Sequence, residues 1–367
     1  AYGNTTDLNW MAGSQYVYSF GKCIFMPADL TAGIEFNQDK LEDNMWGYHR
    51  TVDQKVNIGS AFFQNEWKNE HWGFLIGGRL DKHNLIDHVI FSPRANLRYN
   101  PTENINLRFS YSSGFRAPQA FDEDLHVENV GGNVAMVELA DNLKEERSQS
   151  LSASADIYHR FGAFQVNFLV EGFYTKLSDV FALTDGEVVD GILTRTRYNA
   201  PGARVMGLTL EGKMAYLTKF QVQAGVTLQQ SHYSEPHVWN KEAPAVKKMM
   251  RTPNTYGYFT ATYTPIKPLS IALSGTYTGS MLVPHEPVPG FLEKPITVNT
   301  KDFFDIGLKA AYDFKLYKSM NLQVNAGVQN IFNAYQNDFD KGADRDSGYI
   351  YGPSLPRSFF AGVKISY

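Results

Sequence analysis

The feature that most constrains this chain is an alternation of apolar and polar residues at period two, in segments of about ten residues. From 269 to 278, Leu269, Ile271, Leu273, Gly275 and Tyr277 alternate with Ser270, Ala272, Ser274, Thr276 and Thr278. From 304 to 313, Phe304, Ile306, Leu308, Ala310 and Tyr312 alternate with Asp305, Gly307, Lys309, Ala311 and Asp313. The stretches 105–112, 220–229 and 321–328 behave alike. Successive side chains of a strand point to opposite faces, so each segment has one apolar and one polar face. No helical period of comparable extent competes, and the fold class is all-β.

Strands are predicted over 5–20, 27–37, 54–68, 72–83, 93–100, 105–113, 147–159, 164–180, 203–216, 220–232, 253–264, 268–280, 301–314, 320–333 and 357–367. The connections between them alternate in length. Segments 101–104, 160–163, 217–219, 265–267 and 315–319 are short, whereas 114–146, 181–202, 233–252, 281–300 and 334–356 are long. Short turns at one end and long loops at the other mark an outer-membrane barrel, with turns in the periplasm and loops outside. A soluble sandwich has no reason to hold that rhythm over consecutive hairpins. Strands of this length also suffice to cross a bilayer at a tilt. The last segment places Phe359, Ala361, Val363 and Ile365 on one face and ends on Tyr367, as closing strands of such barrels do. The expected architecture is a transmembrane antiparallel up-and-down β-barrel in the bacterial outer membrane, its apolar face against outer-membrane lipid. Fifteen strands is an odd number, and bacterial single-chain barrels are even-stranded. An odd number of strands is therefore expected ahead of Ala1, which follows no signal-peptide pattern.

Composition agrees. Aromatics make up 14% of the residues, which suits both pleated surfaces and a membrane interface. With 34 Lys+Arg against 38 Asp+Glu, the net charge of −4 leaves no basic footprint for nucleic acid. No apolar run reaches the ~18 residues of a transmembrane helix. The single cysteine, Cys23, excludes an intrachain disulfide and a Cys-based zinc site, and it falls in a turn assigned to the periplasmic side.

No catalytic constellation stands out: there is no G-x-S-x-G, H-E-x-x-H or P-loop. Three groups invite a metal reading, each with a plainer alternative. His232 and His237 share one predicted loop and otherwise read as loop polarity. Asp338, Asp340, Asp344 and Asp346, with Gly342 permitting a turn, offer oxygen ligands to Ca²⁺ or form a solvated acidic loop balanced by Lys341 and Arg345. Met249, Met250, Met281 and His285 suit copper or simply fill gaps. Trp46, Tyr48, Phe115, Phe121, Tyr233 and Trp239 are loop aromatics that grip a ligand or belong to a membrane girdle.

Particular motifs carry a resemblance. Phe91-Ser92-Pro93-Arg94, Arg98-Tyr99-Asn100-Pro101 and Arg108-Phe109-Ser110-Tyr111-Ser112-Ser113-Gly114-Phe115-Arg116-Ala117-Pro118 resemble the barrel of TonB-dependent outer-membrane receptors. Asn142-Leu143-Lys144-Glu145-Glu146, Tyr174-Thr175-Lys176-Leu177-Ser178-Asp179 and Val328-Gln329-Asn330-Ile331-Phe332-Asn333 follow in the family's order. Glu145 stands where that family commonly has proline. Tyr351-Gly352-Pro353 and Pro356-Arg357-Ser358-Phe359-Phe360 resemble its final loop-to-strand passage. The style is most similar to receptors of Bacteroidetes. The resemblance implies a plugged barrel of about twenty-two strands, of which about fifteen are present. Residues 1–367 would then be the C-terminal portion of the barrel domain, with the N-terminal plug and the first strands outside this chain.

It further implies active uptake of an iron chelate, haem or cobalamin, energised by TonB and its inner-membrane complex through the absent N-terminal region, with no cofactor. A passive porin or adhesin barrel and a barrel enzyme are the alternatives. Loops 37–53, 114–146 and 281–300 rise on the extracellular side. They place Trp46, Tyr48, Arg116 and His285 as the expected ligand mouth, the alternative being that these loops only cap the barrel.

Overall fold

The computed structural model describes residues 3–367 other than 49, 119–133, 190, 191, 318, 343, 344, 347 and 354. His49, Asp344 and the loop residues Phe121, Asp122, Glu123, Asp124, His126 and Glu128 lie outside the described residues. In chain order the strands are β1 (Asn4–Cys23), β2 (Met26–Met45), β3 (Arg50–Lys68), β4 (Trp72–His83), β5 (Ile90–Thr102), β6 (Ile105–Arg116), β7 (Val134–Leu139) and β8 (Glu146–Phe161). They continue with β9 (Phe164–Ser178), β10 (Val180–Val189), β11 (Ile192–Ala200), β12 (Ala203–Tyr216), β13 (Phe220–His237), β14 (Val246–Lys248) and β15 (Thr255–Ile266). The remainder are β16 (Leu269–Thr278), β17 (Leu282–His285), β18 (Ile296–Asn299), β19 (Phe303–Tyr317), β20 (Met320–Gln329) and β21 (Ser358–Ser366).

Fifteen of these form one antiparallel wall in the order β1-β2-β3-β4-β5-β6-β8-β9-β12-β13-β15-β16-β19-β20-β21, with β14 appended to β13. They are the fifteen segments predicted from periodicity. The remaining strands decorate the long connections, β10-β11-β7 as a small sheet and β17-β18 as a hairpin. Among the described residues β1 pairs only with β2, and β21 only with β20, so the wall is not closed on itself.

Register makes one face continuous. Phe359, Val328, Leu308, Leu273, Ala261, Val222, Met214 and Val166 are direct partners across eight successive strands. Large apolar residues on that face are open to the surroundings, with Phe359 79% and Val363 67% exposed. The opposite face holds the polar networks. Arg79 bonds Asp81 and Glu35, both at 2.8 Å, and Ser60 at 2.7 Å. Farther round, Lys213 pairs with Glu211 at 2.8 Å, Tyr258 donates to the same carboxylate, and Gln223 donates to the Tyr258 hydroxyl at 2.6 Å. Apolar outside and polar inside is the arrangement for a wall bathed in lipid.

Aromatics bound the apolar band at both ends. At the turn end Trp72 stacks on Tyr99 at 4.2 Å, Phe25 on Trp67 at 5.6 Å, and Phe164 meets Tyr216 at 4.6 Å. On β9, Phe164 and Tyr174 share the outer face ten residues apart. That separation is roughly 34 Å along a strand and about 26 Å across a membrane at a tilt near 40°. The band matches a bilayer core.

The turn at Gly162 has φ +57°, the left-handed region that a two-residue hairpin between β8 and β9 requires. Gly275 serves packing instead: the Phe259 ring crosses it, and a Cβ there would sit 2.3 Å from that ring.

Two loop expectations are corrected. The predicted loop 37–53 is mostly ladder, since β2 and β3 pair without interruption as far as Met45 and Arg50, leaving one 3-10 turn at Trp46–Tyr48. Beyond the bilayer both strand faces are wet, so its Gln, Asp, Lys and Glu residues imitate a loop in sequence. For the same reason His232 and His237 lie within β13 rather than on a loop.

Candidate functional site

At the loop end, the connections gather into two braced assemblies. The first joins the loops after β13, β16 and β20. Its centre is a small core of Met281, Val283 and Tyr349, with Val298 and Tyr351 packed against it. Gln336, 4% exposed, ties the last loop to itself. Its Nε2 donates to the Tyr349 carbonyl at 3.0 Å, and its Oε1 accepts from the Tyr351 N–H at 2.8 Å. Arg251, from the loop after β13, donates to the carbonyls of Ile350, at 2.8 Å, and Gly348. Asn240 donates to Glu286 at 2.8 Å, closing the third side.

His285 is inside this assembly. It is 5% exposed, its Nε2 lies 2.9 Å from Asp340, and its ring stacks on Tyr349 at 3.8 Å and 6°. The aspartates are spent on loop structure. Asp338 accepts from the Tyr351 hydroxyl at 2.6 Å, and Asp346 accepts from the backbone N–H of Glu286 at 2.9 Å and of Gly348 at 2.8 Å. Burial, then the Asp338 charge, pushes the Tyr349 phenol up. Burial and the Asp338 hydrogen bond do the same for Tyr351. Among the described residues no group of three His, Cys, Asp or Glu side chains is arranged to hold a metal ion. Met281 is likewise core, 8% exposed.

The second assembly joins the loops after β4, β6 and β9. Glu145, 4% exposed, accepts from Arg147 Nε at 2.7 Å and meets His88 Nε2 at 3.0 Å. Burial by itself would push this carboxyl up; the hydrogen bonds from Arg147 and His88 outweigh it and hold Glu145 below its usual range. Asn199 knits the connections, donating to the carbonyls of Lys144 at 3.1 Å and Asp179 at 2.8 Å, while its Oδ1 accepts from the Lys144 N–H at 2.8 Å. Arg116 sits opposite Glu146 in the ladder, and its guanidinium carbon lies 5.7 Å from the Phe181 ring centre. Arg197, 1% exposed, approaches the same ring at 5.8 Å. Two guanidiniums therefore share one aromatic ring, Arg197 enclosed within the assembly and Arg116 at the end of the barrel wall.

Of the residues expected at the ligand mouth, Trp46 is exposed on the β2–β3 turn, and nothing is described for the Tyr48 side chain. Trp46 follows β2, Arg116 is the last residue of β6, and His285 ends the β17 strand that follows β16; β2, β6 and β16 are several strands apart in the sheet order, so the three do not stand together. Sequence reasoning missed Arg197, Gln336 and Arg251, and it met Glu145 only as a departure from a motif. Arg197 carried one usable signal, a cation in a run of alternating Thr and Arg, Thr194-Arg195-Thr196-Arg197. Cys23 lies beside the β1–β2 turn, where its carbonyl accepts from Trp67 Nε1 at 3.0 Å.

The family model described as TonB dependent receptor-like, beta-barrel, matches residues 1–331. No curated protein sequence matches the chain. Among solved structures, a mutant of the ferric enterobactin receptor PfeA from Pseudomonas aeruginosa superposes with a TM-score of 0.70 at 18% identity, covering 98% of this chain and 54% of that one. The siderophore receptor PirA from Acinetobacter baumannii gives 0.67 at 17%, covering 98% and 55%. The ferric-catecholate import receptor Fiu from E. coli K12 gives 0.68 at 15%, covering 98% and 55%. The chain thus spans about half the length of the solved structures it matches. With its lipid-facing wall, polar inner face and braced loops, this chain belongs to the TonB-dependent receptor β-barrel family.

Proposed function

We propose that this chain is the C-terminal part of the barrel of an outer-membrane receptor that takes up a bulky anionic iron chelate of the siderophore type. Energy would come from TonB and its inner-membrane complex acting through a part of the receptor outside these residues. Such a receptor does no bond chemistry; it works by differential binding between conformational states. What supports the ligand class is the likeness of the wall to siderophore and ferric-catecholate receptors, together with the Arg116 guanidinium beside Phe181 at the loop end, above a polar inner wall. A guanidinium beside an aromatic ring matches a negatively charged chelate built from flat rings better than it matches cobalamin. Many such modest contacts allow a ligand to be both held and released.

The test is equilibrium binding to the full-length receptor with three probes: a ferric tris-catecholate, haemin and cyanocobalamin. The catecholate chelate is expected to bind most tightly, and Arg116→Ala is expected to weaken it at least tenfold, about 1.4 kcal/mol. Preference for haemin or cyanocobalamin would replace the ligand class. Binding of none of the three, or uptake that persists in cells without TonB, would remove the receptor reading.

A further inference from the structure

The lipid-facing side of the wall carries a cationic row that ligand uptake leaves unused. Lys176 of β9, Arg204 of β12, His232 of β13 and Lys248 of β14 stand directly opposite one another across four neighbouring strands. The period of the strands puts them on the same face as Tyr174, Met206 and Leu228, which is the apolar outer face. Among the described residues no carboxylate pairs with any of the four. Like charges directly opposite on a sheet destabilise it. Here Lys176 stands opposite Arg204, and Lys248 lies two interstrand steps beyond Arg204 across His232, roughly 10 Å, a repulsion that a polyvalent anion would relieve.

The surface just inward of the row is its chemical complement. A groove of about 850 Å³ runs there, lined chiefly by Phe109, Leu151, Tyr174, Met206, Leu208 and Leu228. Its floor contains Gly172, where an added Cβ would meet nothing within 4 Å. Tyr174 belongs to the aromatic border of the bilayer band, so the row begins at headgroup depth and the groove lies at acyl-chain depth.

We propose that this is a binding site for an outer-leaflet lipid whose headgroup carries phosphate. An acyl chain lies over Gly172, and phosphate oxygens accept hydrogen bonds from Lys176, Arg204 and Lys248, with His232 between them. The assignment rests on the outer-membrane placement argued above, and not on the identity of the transported ligand.

Native mass spectrometry of the delipidated full-length receptor in detergent tests it, with a diacyl phosphatidate, the matching diacylglycerol and inorganic phosphate as probes. Wild type is expected to retain phosphatidate over diacylglycerol and to bind inorganic phosphate at least tenfold more weakly than phosphatidate. The variant K176Q/R204Q/K248Q is expected to lose at least tenfold in phosphatidate retention. Gly172→Phe, which fills the groove and leaves every cation in place, is expected to do the same, and it decides the matter if the triple variant misfolds. Equal phosphatidate retention by wild type and the folded variants would overturn the site. Inorganic phosphate bound as tightly as phosphatidate would overturn the lipid and leave a free-anion site. Protease protection after insertion into vesicles reads the membrane placement separately, so a barrel that inserts normally without phosphatidate preference refutes only this proposal.

Discussion

The imidazole of His285 lies face to face with Tyr349 and meets Asp340 at 2.9 Å, with both partners of that contact nearly excluded from solvent. Removing the imidazole leaves the buried Asp340 with only the Asp346 N–H at 3.2 Å on that oxygen, and a buried polar group left short of a partner costs about 1–3 kcal/mol. His285→Ala is therefore expected to loosen the loop assembly by about that amount. Hydrogen exchange should rise together in 282–299 and 334–356 while the barrel strands stay protected; unchanged exchange would show that His285 is dispensable there. At the second assembly the argument concerns protons. Glu145 is held below its ordinary value of 4.5, so its contribution is present above that pH and is lost as pH falls through the depressed folded value. Exchange of the amides in 84–89 and 140–147 should stay constant from neutral pH down to about 4.5, after intrinsic rates are allowed for. It should rise below it, and Glu145→Gln should abolish the transition.

A strand of this wall has a wet and an oily side that differ by one residue. Leu273 lies on the apolar row, partnered by Ala261 and Leu308, whereas Ser274 lies on the polar side opposite Thr260 and Gly307. Leu273→Arg is expected to cost about 2–4 kcal/mol near the bilayer midplane, and Ser274→Arg much less. Unfolding in lipid vesicles measures both, and equal costs would contradict the orientation of β16. The same rule explains why β2, β3 and β13 were longer than expected. Outside the bilayer no lipid imposes alternation, and backbone pairing continues through residues such as Gln38, Lys40 and Glu42 whose pattern has no period.

For the whole molecule the open edges matter most. Unpaired N–H and C=O groups cost several kcal/mol each in hydrocarbon, and both β1 and β21 present such an edge among the described residues. In the membrane those edges are expected to pair with strands beyond these 367 residues, which also accords with a chain that covers 54% of the PfeA structure. Hydrogen exchange of β1 amides tests this. They should be protected in the full-length receptor and exchange rapidly in the 367-residue chain alone; protection in the isolated chain, with β1 joined to β21, would contradict it.

The fifteen strands, their order and the side each turns to lipid were determined by the sequence alone, because a bilayer punishes any departure from period two and the strands pair with their chain neighbours. What the loops do was decided only by tertiary structure. Asp338, Asp340 and Asp346 look like a cation site in sequence, and in the fold their oxygens accept hydrogen bonds from Tyr351, His285 and backbone N–H groups. Arg116 was legible as a loop-end cation, but its partner Phe181 lies sixty-five positions away, joined to it through the registers of β6, β8 and a separate sheet. The cationic row on the outer face is of the same kind. Lys176, Arg204, His232 and Lys248 are scattered along the sequence, and only the registers of β9, β12, β13 and β14 bring these basic side chains side by side. Periodicity is a local property written in each segment, whereas adjacency between distant loops and strands depends on register and on loop packing, which no local pattern records.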